Sequence, residues 1–297
     1  DLRMSRGLGD VYKRQDYNYY AADNVSDDEV GAIYERRISA LKEWFDSGEE
    51  TFTQEEKDFM IQKYEDLETP FYYEYMDGWA ALLQNISTFI LILALVIGFF
   101  VSGIFSDEFQ AKADSIFFST RFGRSRGISA KVGAGFCITT GFYVIFVLLY
   151  TFIVLFVLGV DGANCPIQLD LWRSVYNITF LQAYLFIVLG GYIGTIFAST
   201  LAMLVSALTR STPTAIIVPF IVLCAFPFLS RIITLPGLCS FFPDQLLEIY
   251  LDIKEAGLVT LGGKVTTIAT VIVPVYAVIC LILLPVLYKV YKKTEIK

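Results

Sequence analysis

The sequence predicts an all-α integral membrane protein with five visible transmembrane helices and a small extracytoplasmic helical lobe. Three observations carry this. The chain of 297 residues is 55% hydrophobic and only 18% charged, against about 25% charged in soluble domains, and its mean hydropathy is +0.57. Five stretches free of Asp, Glu, Lys and Arg (86–106, 132–160, 178–209, 211–230 and 265–288) are long enough to cross a bilayer, which takes about 20 residues. They do not alternate in polarity and each exceeds the roughly 10 residues of a barrel strand, so helices are expected. Finally, the basic residues of the connecting loops segregate to one side of these spans.

Residues 1–15, DLRMSRGLGDVYKRQ, share no periodicity with the rest of the chain. They resemble a translated sequencing-adapter tail, and are set aside from fold reasoning; the other reading is a short basic leader. Residues 16–85 form the lobe and hold most of the acid of a chain whose net charge is −7. Two helix starts are legible there. Ser26 to Glu29 and Thr53 to Glu56 each have the hydroxyl-x-x-Glu pattern of a capping box, and each precedes apolar residues at helical spacing. The lobe reads either as a vestibule, with Phe71, Tyr72, Tyr73, Tyr75 and Trp79 as a contact surface, or as a solvated cap whose aromatics belong to the membrane interface.

Orientation comes from the loops. Lys112, Arg121, Arg124, Arg126 and Lys131 come after the first span, Arg210 after the third, and Lys289, Lys292, Lys293 and Lys297 after the fifth. The opposite side carries Arg173, Arg231, Lys254 and Lys264. The positive-inside rule places the first set in the cytoplasm. Residues 16–85 then lie outside and the C-terminus inside. Tyr75 and Trp79, Trp172 and Tyr176, and Tyr288 and Tyr291 are expected at the membrane interfaces.

Along the spans, Gly190, Gly194, Ala198, Ala202 and Ser206 make a ridge of small residues every fourth position of the third. Such a ridge admits a second helix closely, either within the chain or across a subunit interface. Pro219 and Pro227 in the fourth span, and Pro274 and Pro285 in the fifth, are expected to kink those helices. Residues 235–264 are too long for a turn, and Pro243 to Leu251 read as a short amphipathic helix at the outer interface or dipping into it. Cys165 and Cys239 both fall in outer loops, where a disulfide could form, while Cys137, Cys224 and Cys280 read as small apolar packers.

Composition removes several functions. With no His, there is no Ser-His-Asp triad and no His general base. The five Cys form no CxxC pair, so neither metal ligands nor catalytic residues are expected. The spans hold no acid or base, which argues against a proton-driven carrier and against an intramembrane enzyme using paired carboxylates.

The loop after the first span reads SDEFQAKADSIFFSTRFGRSRGISAK. It has an acidic start at Asp107 and Glu108, then Ser119, Thr120 and Arg121, then Gly123, Arg124 and Arg126, and Lys131 at the mouth of the next span. This resembles the equivalent loop of type 2 ABC transporter permeases, the ABC-2 family, although that family often has Pro where Arg121 stands. The resemblance implies six spans per subunit, so five spans with an outer N-terminus look like a member that lacks its first helix. It implies a non-catalytic permease of a bacterial plasma membrane, paired with a second, identical or different, permease subunit and docked on cytoplasmic ABC ATPase subunits. ATP and Mg²⁺ would bind those partners, for this chain has no GxxxxGK[ST] loop. The loop would couple the two, and no cofactor or nucleic acid is implied for this chain. The uncharged spans suit a lipid-like or amphipathic cargo in an exporter. A membrane sensor or scaffold whose outer lobe binds a partner is the alternative from a different class, and the loop's bases would then serve retention and anionic lipid.

Overall fold

A computed structural model describes residues 27–48, 51–224 and 241–293. The chain divides into two compact units, Asp1–Thr69 and Pro70–Lys297. In the first, α1 (Asp27–Asp46) packs on α2 (Gln54–Glu65). The Thr53 capping box is formed, with Thr53 Oγ1 accepting the N–H of Glu56 and the Glu56 carboxylate accepting the N–H of Thr53. The pattern at Ser26 lies outside the described residues. Leu41, Phe45, Met60 and Tyr64 make the small core, and the Arg37 guanidinium lies 3.7 Å from the Tyr64 ring centre. Burial of this Arg needs a partner surface, which the aromatic face supplies.

The second unit is built on α3 (Asp77–Ser102), α6 (Ile128–Leu158), α7 (Phe180–Thr209) and α11 (Ile268–Lys292). These are four helices long and apolar enough to cross a membrane. Between the first two lie the short helices α4 (Asp107–Gln110) and α5 (Asp114–Ser119) and a π-turn at Gly123–Gly127. The stretch expected as a fourth span, 211–230, contains α8 (Thr212–Cys224), only 13 residues in length, and its remainder with Pro227 lies outside the described residues. So among the described residues four helices, not five, have spanning length. The first of them also starts at Asp77 rather than near 86. The polar pair Gln84 and Asn85 does not end it, because Asn85 Nδ2 donates within the helix to the carbonyl of Ala81. Residues 70–85 therefore belong to the bundle, with Leu82, Leu83 and Ile86 fully buried.

Nor is the fold wholly α. After α9 (Pro243–Leu247) and α10 (Ile249–Glu255), β1 (Leu258–Leu261) and β2 (Lys264–Thr267) form an antiparallel hairpin with Leu261 opposite Lys264. Gly262 and Gly263, both at positive φ, make its two-residue turn, the geometry that matches strand twist.

α7 is the central helix and touches α3, α6, α8, α9, α10 and α11. Its small residues are used inside the chain. A Cβ on Gly190 would collide with Ile249, and one on Gly194 would lie 2.6 Å from Leu247 Cδ2. The residues read as an interfacial amphipathic helix are thus a buried wedge, seated on Gly190 and Gly194. On an adjoining face, a Cβ on Gly191 would lie 2.7 Å from Ile90 of α3. Ala198, Ala202 and Ser206 continue the ridge and are all buried. Among the expected interfacial aromatics, Trp79, Tyr176 and Tyr291 are instead buried, because neighbouring elements cover them. Cys165 is a buried free thiol whose sulfur accepts the N–H of Glu74; Cys239 lies outside the described residues.

Substitution Gly194→Val is expected to displace Leu247 and cost about 1–3 kcal/mol of stability, read as a lower thermal midpoint of the detergent-solubilised chain. Gly98→Ala, where nothing lies within 4 Å of the new Cβ, should leave the midpoint unchanged or raise it.

Candidate functional site

One end of the bundle gathers the C-termini of α3, α7 and α11 with the N-termini of α6 and α8. The connection from α3 to α6 folds back across this end. Its first anchor is polar. Ser106, fully buried, places its Oγ 2.6 Å from Thr212 Oγ1 at the start of α8, and Gln110 Nε2 donates to the same Thr212 oxygen at 2.9 Å. Asp107 Oδ1 accepts from Thr212 at 3.4 Å. A single hydroxyl therefore ties α4 to α8.

The second anchor is charged. Lys131, on the first turn of α6, forms an ion pair with Glu108 and also donates to the carbonyl of Ile104. Its ammonium lies 5.5 Å from the Phe105 ring centre, 5.3 Å from Phe117 and 5.7 Å from Tyr291. The aromatic faces and the carbonyl share the positive charge with the carboxylate. Side-chain exposures of 16% and 22% put this pair between surface and core. Loss of either partner then leaves a poorly solvated charge behind.

Tyr291 organises the rest. It is fully buried near the end of α11, and rings of Phe105, Phe109, Phe117 and Phe118 lie 4.7 to 6.4 Å from its own. Arg210, in the left-handed conformation between α7 and α8, sets its guanidinium 4.6 Å from the Phe109 ring centre. Arg124 sits 4.8 Å from Phe118 and donates from Nη1 to the carbonyl of Lys292. Gly123 is required by close approach, since a Cβ there would strike the Phe117 carbonyl and lie 2.8 Å from Thr120 Oγ1.

The residues expected to form the coupling loop thus fall into three groups. Asp107, Glu108, Arg124 and Lys131 point into the bundle end and bind it together. Ser119 and Thr120 close their own short helix, donating to the carbonyls of Ile116 and Phe117. Arg121 and Arg126 stay exposed and flank Phe122, at 5.3 and 4.8 Å from its ring centre. Phe122 and Ile116 are exposed at 46% and 69%. This rim of two apolar side chains and two guanidinium groups is the outward face of the loop. Sequence reasoning missed Thr212, Phe105 and Tyr291. Tyr291, read as an interfacial aromatic, did carry a signal: it stands four residues after Leu287, the spacing of one helix face, and both are buried.

Among the described residues no group of three or more His, Cys, Asp or Glu could hold a metal ion. Comparison with protein-family models, curated proteins and solved structures finds no match to this chain. Among the described residues, the fold and this end together define a helical protein with four helices of membrane-spanning length and a structured basic loop closing one end of them.

A double-mutant cycle on Glu108→Gln and Lys131→Met should give a coupling energy of about 1–3 kcal/mol. Each single variant is expected to unfold at lower temperature than additivity with the double variant allows. A coupling near zero would sink the anchoring role of this pair.

Proposed function

We propose that the chain is the membrane-spanning permease subunit of a type 2 ABC transporter, an exporter driven by a separate cytoplasmic ATPase. One observation carries this reading. The loop that resembles the family's coupling loop is folded and tied to α6, α8 and α11, while Arg121, Phe122, Arg126 and Ile116 face outward. A loop tied to several spans can pass a push on its outer face into all of them, which a merely retentive basic loop has no need to do. In this reading the basic end is cytoplasmic in a bacterial plasma membrane and residues 16–69 lie outside. α8 begins a further crossing, and a second permease subunit completes the pathway. Phosphate chemistry stays on the ATPase, where ATP and Mg²⁺ bind. The four spanning helices carry no Asp or Glu between residues 78 and 102, 128 and 158, 180 and 209, or 268 and 292, which suits energy supplied by a partner better than by a proton gradient.

The structure also selects the residues for the test. Glu108 and Arg124 hold the fold, so reversing them would confound coupling with unfolding. Arg121→Glu with Arg126→Glu alters only the outer rim. The tagged full chain, solubilised from its native membrane, is expected to carry an ATPase with a Walker motif, identified by mass spectrometry. The double variant should keep the wild-type thermal midpoint and lose that ATPase by tenfold or more, about 1.4 kcal/mol. Purified chain without such an ATPase, or full retention by the double variant, would overturn the proposal.

A further inference from the structure

The α9–α10 wedge buries acid. Asp244 is 3% exposed and Asp252 7%. Each keeps one carboxyl oxygen in the interior without a hydrogen-bond partner, Oδ1 of Asp244 and Oδ2 of Asp252. The charged groups acting on Asp252 are all acidic: Glu248 and Glu255 beside it and Asp244 on α9. From the other elements neutral phenols face the pair, Tyr176 from the connection before α7 toward Asp252 and Tyr276 of α11 toward Asp244, while the other oxygen of Asp244 accepts from Gln245 Nε2 at 3.2 Å and from backbone N–H groups of Asp244 and Gln245. Lys254, the base of α10, acts on Asp170 instead. Immediately between the two acids, Leu247 and Ile249 fill the hollows that Gly194 and Gly190 leave on α7. The wedge therefore has a close apolar seat and two buried acids, each with one carboxyl oxygen unpartnered.

We infer that the α9–α10 wedge is a proton-operated latch, seated on Gly190 and Gly194 while Asp244 and Asp252 are protonated and loosened when they ionise. An ionised carboxylate in such a place has lost its water and gained like-charged neighbours, whereas a carboxylic acid has lost much less. Burial, reinforced by Glu248, Glu255 and Asp244, pushes Asp252 from 3.8 up to about 7, and burial also raises Asp244 and Glu248. The sign comes from linkage. A carboxyl whose value is raised in the seated state stabilises seating fully below its ordinary value. That stabilisation is lost as pH rises, and the loss is complete near 7. Each pH unit in between weakens seating by up to about tenfold per group. The latch depends on the fold alone and holds whether or not the chain works as a transport subunit.

Hydrogen–deuterium exchange of the full chain in lipid nanodiscs tests it, at pH 5.5 and 8.0 with correction for intrinsic exchange. Protection of residues 243–257 is expected to fall at least tenfold at the higher pH, while that of residues 128–158 stays constant. Asp244→Asn with Asp252→Asn should hold the segment protected at both values. Asp252→Asn alone serves if the double variant does not fold. Protection of 243–257 that ignores pH in the wild type overturns the latch, as does an equal loss in the Asn variants or an equal loss across the whole chain.

Discussion

Apolar helices gain nothing by leaving hydrocarbon for one another, so close approach of backbones must do what burial does in water. That constraint falls on α7. Its small residues serve two sides at once, Gly190 and Gly194 toward the wedge and Gly191 toward α3. Where Gly191 lets the chains meet, Tyr143 of α6 donates its hydroxyl to the carbonyl of Val188 at 2.7 Å. Thr140 and Thr151 of α6 make further hydroxyl contacts with Tyr192 and Tyr184 of α7, at 2.9 and 2.7 Å. The bundle is therefore held by dispersion at glycine-sized gaps and by scattered hydroxyl bonds, each individually small. Remove the gaps and the bonds lose their geometry too.

Much of this is legible in the sequence. The small-residue period on α7, the Thr53 capping box and the uncharged runs of α3, α6, α7 and α11 all correspond to elements of the fold. What fails does so for physical reasons. The start of α3 reads too late, although no acid or base stands between residues 78 and 86 and the polar Asn85 satisfies itself on the preceding turn. The hairpin escapes a search for helices although Leu-Val-Thr-Leu, Gly-Gly and Lys-Val-Thr-Thr carry β-branched residues around a two-residue turn. Asp244, Glu248 and Asp252 stand four apart and read as a wet helix face. Only the packing of the wedge, whose Leu247 and Ile249 seat on α7 some 50 residues earlier in the chain, takes Asp244 and Asp252 out of water.

The candidate site shows the same limit at finer grain. Counting bases places Arg121, Arg124, Arg126 and Lys131 on one side of the spans and treats them alike. Folding separates them. Lys131 and Arg124 find a carboxylate, carbonyls and rings inside the bundle end, while Arg121 and Arg126 lie along Phe122 at the exposed rim. Which base turns inward depends on Tyr291, more than 150 residues away, and no local pattern encodes that. The glycine at 123 is the exception, because its neighbour is Phe117, six residues back.

α6 has 31 residues, and those it buries are Ile128, Gly135, Thr139, Tyr143 and Val147. The last four repeat every fourth position, a single stripe down one side. Much of the rest of that helix faces away from the chain, including Phe152, Phe156 and Val157 near its far end. A helix specified at so few positions has a short message to preserve. Under mutation it should behave as two texts overprinted on one rod: one stripe nearly frozen, the remainder free to drift among apolar residues.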